Sequence, residues 1–278
     1  MRFEIDHVTR YVYSTPVELG EHRLRFLPRR HAGQSLKSWK LEVEPGPARR
    51  IETVDSWENR IQLVWFEGET HRLEIYCHLE LETLETVPQA RIGTIHLPVS
   101  YGPDTAALAP YLEPPEDAAM LQAFLQPLLA MAGGDAVTFL AALNGAVHGF
   151  YHQGVRLEGA PRTPAQTLIL REGVCRDLAV LFMAACRQAG LAARFVSGYQ
   201  QGEGTRAQRY LHAWPEVYLP GPGWLGYDPT HGTRAGSDHV AVAAAPAPEA
   251  VTPVEGGYSF RGAELTSTLE TDIRITTR

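Results

Sequence analysis

Three cysteines, Cys77, Cys175 and Cys186, are too few and too odd in number for a disulfide framework. No Cys-x-x-Cys pair, Gly-x-Ser-x-Gly elbow or Gly-rich phosphate loop occurs, so the common redox, serine-hydrolase and nucleotide-binding signatures are absent. Long apolar runs are missing too. Residues 1 to 20 carry charge throughout, so neither a signal peptide nor a spanning helix is expected. Positive charge does not dominate: 25 Lys and Arg against 32 Asp and Glu give a net charge of −7, which argues against nucleic acid or an anionic membrane as partner. These absences together lead us to expect a reducing cytoplasm, where a thiolate nucleophile survives.

What is present centres on Leu170-Arg-Glu-Gly-Val-Cys-Arg-Asp-Leu178. After Cys175, apolar residues recur at Leu178, Leu181, Phe182, Ala185 and Ala189, the spacing of a helix with one buried side. Gly190 supplies the left-handed cap that ends it. Cys175 therefore falls in the first turn, where unpaired amides and the positive end of the helix dipole favour thiolate over thiol. Cysteine is also a common core residue, and Cys186, about three turns along the same helix, is read as core.

Downstream, Tyr210-Leu-His-Ala-Trp-Pro-Glu-Val-Tyr-Leu219 and Trp224-Leu-Gly-Tyr-Asp-Pro-Thr230 flank the turn Pro220-Gly-Pro-Gly223, the pattern of a β-hairpin. With the turn centred on residue 220, His212 and Asp228 are expected to oppose one another on the same sheet face as Trp214, Glu216, Trp224 and Gly226. A carboxylate beside an imidazole fixes its tautomer and favours its cation, which in turn favours a neighbouring thiolate. Cys, His and Asp in that chain order is the arrangement of thiol hydrolases. Trp214 and Trp224 fit a cleft wall and a packed core equally well.

The runs Glu172-Gly-Val-Cys-Arg-Asp177, Leu191-Ala-Ala-Arg-Phe-Val-Ser-Gly-Tyr199, His212-Ala-Trp214 and Gly223-Trp-Leu-Gly-Tyr-Asp-Pro-Thr230 resemble the core of the transglutaminase-like superfamily. The resemblance implies an α+β, papain-like core in which a helix carrying the cysteine packs on an antiparallel sheet. It further implies Cys175 as nucleophile, His212 as general base and acid, and Asp228 as the residue orienting His212, with neither a cofactor nor a metal. Tyr151 is a further candidate by the same likeness. Pro215 departs from the pattern by removing a ladder donor just after His-Ala-Trp, and suits an edge or a bulge.

Residues 1–98 read as strands alone: Phe3 to Val8, Tyr11 to Tyr13, Leu24 to Leu27, Leu36 to Val43, Ile61 to Phe66 and Arg72 to Leu84. An all-β, sandwich-like domain is expected. It resembles the N-terminal region of bacterial transglutaminase-like proteins in Tyr11-Val-Tyr-Ser-Thr-Pro-Val17 and Arg23-Leu-Arg-Phe-Leu-Pro28. Residues 99–115 are Pro-rich and read as a linker, and 116–278 as the catalytic domain. Within the latter, Glu116 to Met131 and the segment capped by Asp135 carry helical periodicity, and Thr163-Pro-Ala-Gln166 is a capping box that assigns Gln166 to a cap rather than to an oxyanion. Asp238 to Val242 and the alternating tail Leu269 to Ile275 read as strands, and Ala243 to Pro253 as an exposed loop. His148 and His152 have the helical spacing of a metal pair, but no third ligand accompanies them. The expected chemistry is cysteine-dependent hydrolysis of a peptide or amide bond in a peptide or protein substrate. Transfer to an amine and a silent binding module are the alternatives.

Overall fold

The computed structural model describes all residues except 32, 85–91, 117, 152–155, 157–158 and 203–208. Its first element is one 23-residue strand, β1 (Arg2–Leu24), where the sequence reads as several. Pro16 does not break it, because the β1 pairing with β5 (Glu69–Thr83) shifts register between Val12 and Val17, where a missing amide is tolerated. Strands β2 (Gln34–Glu44), β3 (Arg49–Val54) and β4 (Arg60–Trp65) complete the order β2-β5-β1-β4-β3. Alternate residues of β1 and β5, among them Phe3, Ile5, Val17, Leu73, Ile75 and Leu79, form a buried core.

Residues 99–115 are not a free linker. A 3₁₀ turn at Gly102–Asp104, a helical turn α1 (Thr105–Leu108) and a second 3₁₀ turn at Ala109–Tyr111 pack there. Tyr101 accepts the Ala192 amide at 2.8 Å. The following helices are α2 (Ala118–Ala132), α3 (Ala136–His148), α4 (Pro164–Leu170) and α5 (Cys175–Gln188). Asp135 caps α3 by accepting from the Thr138 amide, and both halves of the Thr163/Gln166 box are made, so Gln166 is a cap. No helix among the described residues is long and apolar enough to cross a membrane.

A second, five-stranded antiparallel sheet runs β10-β6-β7-β8-β9, from β6 (Ala193–Gln200), β7 (His212–Leu219), β8 (Gly223–Asp228), β9 (Thr233–Arg234) and β10 (His239–Ala245). Leu178, Leu181, Phe182 and Ala185 of α5 are fully buried against it with Val217 and Leu219 of β7. Burying each large side chain stabilises by about 1.5–3 kcal/mol. Gly190, at φ +77°, ends α5 and turns the chain into β6. Helices on an antiparallel sheet beside a β region make the fold α+β.

Two sequence expectations are corrected here. Ala243 to Pro253 is not an exposed loop: Ala243–Ala245 finish β10, every residue of which is buried, and Pro248–Val251 forms a 3₁₀ turn with Val251 inside. Its alanines are small because β10 is packed on both faces, with Ala243 and Ala245 on the helix side and Val240 and Val242 on the N-terminal sheet. The chain beyond it, in turn, leaves the second sheet. Strands β11 (Val254–Phe260) and β12 (Ser267–Thr277) both pair with β1, so the N-terminal sheet draws on both ends of the chain rather than on residues 1–98 alone.

The two sheets are joined by side-chain amides. As an edge strand, β10 leaves backbone groups without a neighbour. Gln34 accepts the Ala241 amide at 3.0 Å and donates to its carbonyl at 2.7 Å. Asn59 does the same for Ala244 at 2.8 and 3.1 Å, with the buried Arg29 also bonded to both Asn59 and Ala244. Each amide thus substitutes for a strand residue, and the N-terminal sheet holds the strand that begins with His239.

Candidate active site

Cys175 opens α5 because Asp177 holds the approach to it. The Asp177 carboxylate is fully buried, accepts the Val174 amide at 3.1 Å and the Arg162 amide at 2.8 Å, and is paired with Arg156. This is a carboxylate in the first turn, where the helix dipole favours it. It went unrecognised in the sequence, although its position three residues after Val174 is that of a capping side chain.

His212 and Asp228 lie at the open end of the β7–β8 hairpin. The ladder pairs Glu216 with Gly226, Val217 with Leu225, Tyr218 with Trp224 and Leu219 with Gly223, so it is centred on residue 221, not 220. The expectation that His212 directly opposes Asp228 is therefore off by one pair: continued, this register would set Asp228 level with Trp214, diagonal to His212. Pro215, in a strand interior to the sheet, stands where this ladder stops, so its missing amide leaves no β8 partner unpaired. The strands part, and the two side chains still meet, with His212 Nε2 donating to Asp228 Oδ2 at 2.8 Å.

The Cys175 thiol and the His212 imidazole lie close enough to act on one another's titration. Burial pushes the Cys175 thiol up, but the His212 hydrogen bond and charge, the Ala213 amide and Arg176 outweigh it, and the thiol sits below its ordinary value. Burial likewise works against the His212 cation. Asp228 and Cys175 overcome it and raise His212 to about 10. Burial alone would raise Asp228, yet His212, His231 and His239 hold it far below the carboxylate range. By contrast burial pushes the other thiols up, Cys77 to about 12 and Cys186 well above its usual value. The three sequence-derived residues thus come together, with the Cys175 thiol shifted down and the His212 imidazole shifted up, the directions that favour a thiolate beside an imidazolium.

Two histidines that sequence reasoning missed share the same carboxylate. His231 Nδ1 and His239 Nε2 lie 2.8 and 2.9 Å from Asp228 Oδ2, and Asp228 Oδ1 accepts the Thr230 amide at 2.9 Å. Trp214 is buried beside them, stacked on His212 with centroids 6.0 Å apart and edge-on to His239 at 5.0 Å. Its place depends on Gly198, where a Cβ would stand 2.0 Å from the Val240 carbonyl oxygen and 2.8 Å from the Trp214 ring. Trp224 lies elsewhere, 4.9 Å from the Tyr111 ring with Arg194 stacked over it at 4.1 Å, so it does not pack with this cluster. Tyr151 bridges to Gly173, two residues before the cysteine.

His212 Nε2, Asp228 Oδ2 and His231 Nδ1 fall within 4.8 Å of one another, a donor set of the kind divalent metals use. Two of those separations are 2.8 Å hydrogen bonds, which need the protons that an ion would displace. His148 Nδ1 lies 3.0 Å from the Pro229 carbonyl, and its sequence partner His152 falls outside the described residues.

Comparison with known proteins agrees with this architecture. Residues 139–229 match the transglutaminase-like superfamily, and residues 3–82 match the bacterial transglutaminase-like N-terminal region. An uncharacterised protein of Mycobacterium leprae is 25% identical over 285 residues, covering 94% of this chain and 95% of that one. Another, from Mycobacterium tuberculosis strain H37Rv, is 26% identical over 270 residues, 87% of this chain and 82% of that one. Over 68 residues the chain is 43% identical to a Pseudomonas aeruginosa protein-glutamine gamma-glutamyltransferase, a stretch that is 22% of this chain and 10% of that protein. The crystal structure of a "Putative Cysteine Protease" from Cytophaga hutchinsonii shares the fold, with a TM-score of 0.71 at 18% identity over 100% of this chain and 91% of that one. With the matched core spanning Cys175, His212 and Asp228, and the matched N-terminal region spanning most of the first sheet, this chain belongs to the transglutaminase-like superfamily, which supports a cysteine-dependent activity.

Proposed function

We propose that the protein hydrolyses a peptide or amide bond in a peptide or protein substrate through a thioester acyl-enzyme, with Cys175 as nucleophile, His212 as general acid and base, and Asp228 orienting His212. The observation that carries the reading is the convergence of Cys175, His212 and the buried Asp228, with His212 Nε2 donating to Asp228 Oδ2 at 2.8 Å and the imidazole acting on the Cys175 thiol. In the first half-reaction the thiolate attacks the carbonyl carbon, and the C–N bond breaks as a proton from the His212 imidazolium passes to the leaving amine. First-turn amides of α5 suit the developing oxyanion. In the second, neutral His212 takes a proton from water as it attacks the thioester, releasing the acid and restoring the ion pair.

The local identity to a glutamine gamma-glutamyltransferase favours a second outcome, in which a primary amine replaces water. A glutamine peptide incubated with and without added amine separates the two. Hydrolysis gives ammonia and a glutamate product in both; transfer gives an amine adduct at the expense of glutamate. Peptide-bond cleavage in the same mixtures is followed by mass spectrometry. Loss of every product in Cys175→Ala is expected, and persistence of product there rules out the cysteine. A cytoplasmic site of action belongs to the same proposal, in keeping with three unpaired cysteines, and cell fractionation tests it.

A further inference from the structure

His239 is nearly inaccessible, its side chain 3% exposed, yet both ring nitrogens face carboxylates. Nε2 lies 2.9 Å from Asp228 Oδ2 and Nδ1 lies 2.9 Å from Asp238 Oδ1; the Gly236 amide also donates to Nδ1 at a longer 3.3 Å, a bond that only the unprotonated nitrogen accepts and that competes with the shorter one to Asp238. An imidazole donates from both nitrogens only as the cation. A buried cation is tolerated where paired anions hold it on both sides. The partners are themselves fixed: Asp238 faces Gln200 at 3.4 Å, Ser237 is tied to Thr83 of the first sheet, and β10 is held at Ala241 and Ala244 by Gln34 and Asn59.

The titratable groups facing His239 are Asp228 at the end of β8, Asp238 just before its own strand, and His212 of β7, whose ring is 6.0 Å away. His231, on the turn after β8, bonds the same Asp228 oxygen. With both rings as cations and Cys175 as thiolate, charge would alternate along Asp238, His239, Asp228, His212 and Cys175, and Asp228 would divide its attraction between two imidazolium rings.

We propose that His239, held by Asp238, is a positioning residue that fixes the shared oxygen of Asp228 and, as a second cation, limits how tightly Asp228 retains the proton on His212. The consequence for turnover rests on the acyl-transfer reading above; the charge state of His239 does not. His212 must surrender a proton to the leaving amine, and a cation beside its counter-ion makes it a better acid. Burial disfavours the charged form of His239, and the bonds to Asp228 and Asp238 outweigh it, in keeping with a cation.

Two measurements on the full chain test this. Nitrogen NMR of histidine-labelled protein should show both His239 nitrogens protonated through neutral pH, and that signal should collapse to a neutral ring in Asp238→Asn. A neutral His239 in the unmodified protein overturns the proposal whatever the activity. For turnover, His239→Gln keeps a donor for Asp228 without the charge, and His239→Ala removes both. The glutamine variant should retain most of kcat while the alkaline limb of kcat/KM moves up by about one pH unit. The alanine variant should lose about 10–100-fold in kcat, as removal of an outer hydrogen-bonding partner usually does. Equal loss in both variants with an unmoved alkaline limb, or no change in either, overturns the positioning role. Absence of any Cys175-dependent turnover in the unmodified protein, with the NMR signal present, overturns the reaction and leaves the paired cation standing.

Discussion

His212 Nε2 and Asp228 Oδ2 meet at 2.8 Å although the β7–β8 ladder ends at Glu216 and Gly226 and pairs neither of them. The contact is made by a diagonal reach between strands that have separated at Pro215. Because Asp228 is fully buried, its charge acts on the imidazole with little screening by water.

Asp228→Asn preserves shape and removes that charge. The His212 cation loses its chief support, so its pKa falls from about 10 and the alkaline limb of activity moves to lower pH. The thiolate loses a partner too, so the acid limb moves up and the profile narrows from both sides. A fall in kcat on the order of 10³–10⁴-fold is expected, as when an orienting carboxylate is lost elsewhere. The measurement is kcat/KM against pH for both proteins; a profile of unchanged width contradicts the role given to Asp228.

Asn59→Ala strands the Ala244 amide and deprives its carbonyl of one donor, at a site where β10 has no neighbouring strand. Each buried group left unpaired costs about 1–3 kcal/mol, so a loss of roughly 2–3 kcal/mol is expected in urea unfolding. A loss below about 0.5 kcal/mol, the scale of an ordinary surface change, rules out Asn59 as a substitute strand residue.

His7 is buried between Thr9 and Tyr199, with Nδ1 2.9 Å from the tyrosine hydroxyl, and burial lowers it to about 3. The unfolded chain takes up a proton below the ordinary value of 6.5 while the folded chain does not, so the stability tied to neutral His7 is complete above about 6.5 and drains away as pH falls toward 3. The slope is about 1.4 kcal/mol per pH unit. Subtracting the stability of His7→Gln from that of the unmodified protein across pH 3 to 7 should reveal this one-proton dependence. Parallel curves contradict it.

Gly198→Ala sets a methyl group against the Val240 carbonyl and the Trp214 ring, forcing β10 or the tryptophan to move. Overpacking of this kind costs about 1–3 kcal/mol. The His212 stacking partner shifts with it, so stability by urea unfolding and kcat should both fall. Unchanged values in both would show that the neighbouring atoms yield freely.

Local chemistry was legible in the sequence and long-range pairing was not. The α5 period, its glycine cap, the Asp135 cap and the Thr163/Gln166 box are written within a few residues of each other, and each forms as read. Parity along the hairpin brought His212 and Asp228 to neighbouring positions, but the register needed the turn geometry, and Pro-Gly-Pro-Gly fits a centre at 220 or 221. Nothing local indicates that β11 and β12 return to β1, 230 or more residues away in the chain. Nor does an alanine-rich run announce burial on two faces. His239 did leave a signal, an Asp-His pair at the head of a strand, though its meaning depends on Asp228 arriving from β8.

Alkylation of the full chain with iodoacetamide, followed by peptide mass spectrometry from pH 5 to 9, bears most directly on the thiolate at residue 175. The expected result is early, selective modification of Cys175 at mildly acid pH, ahead of the buried Cys77 and Cys186, with its rate profile shifted toward alkaline pH in His212→Gln. Slow and equal modification of all three cysteines, or a Cys175 profile indifferent to His212, would contradict it.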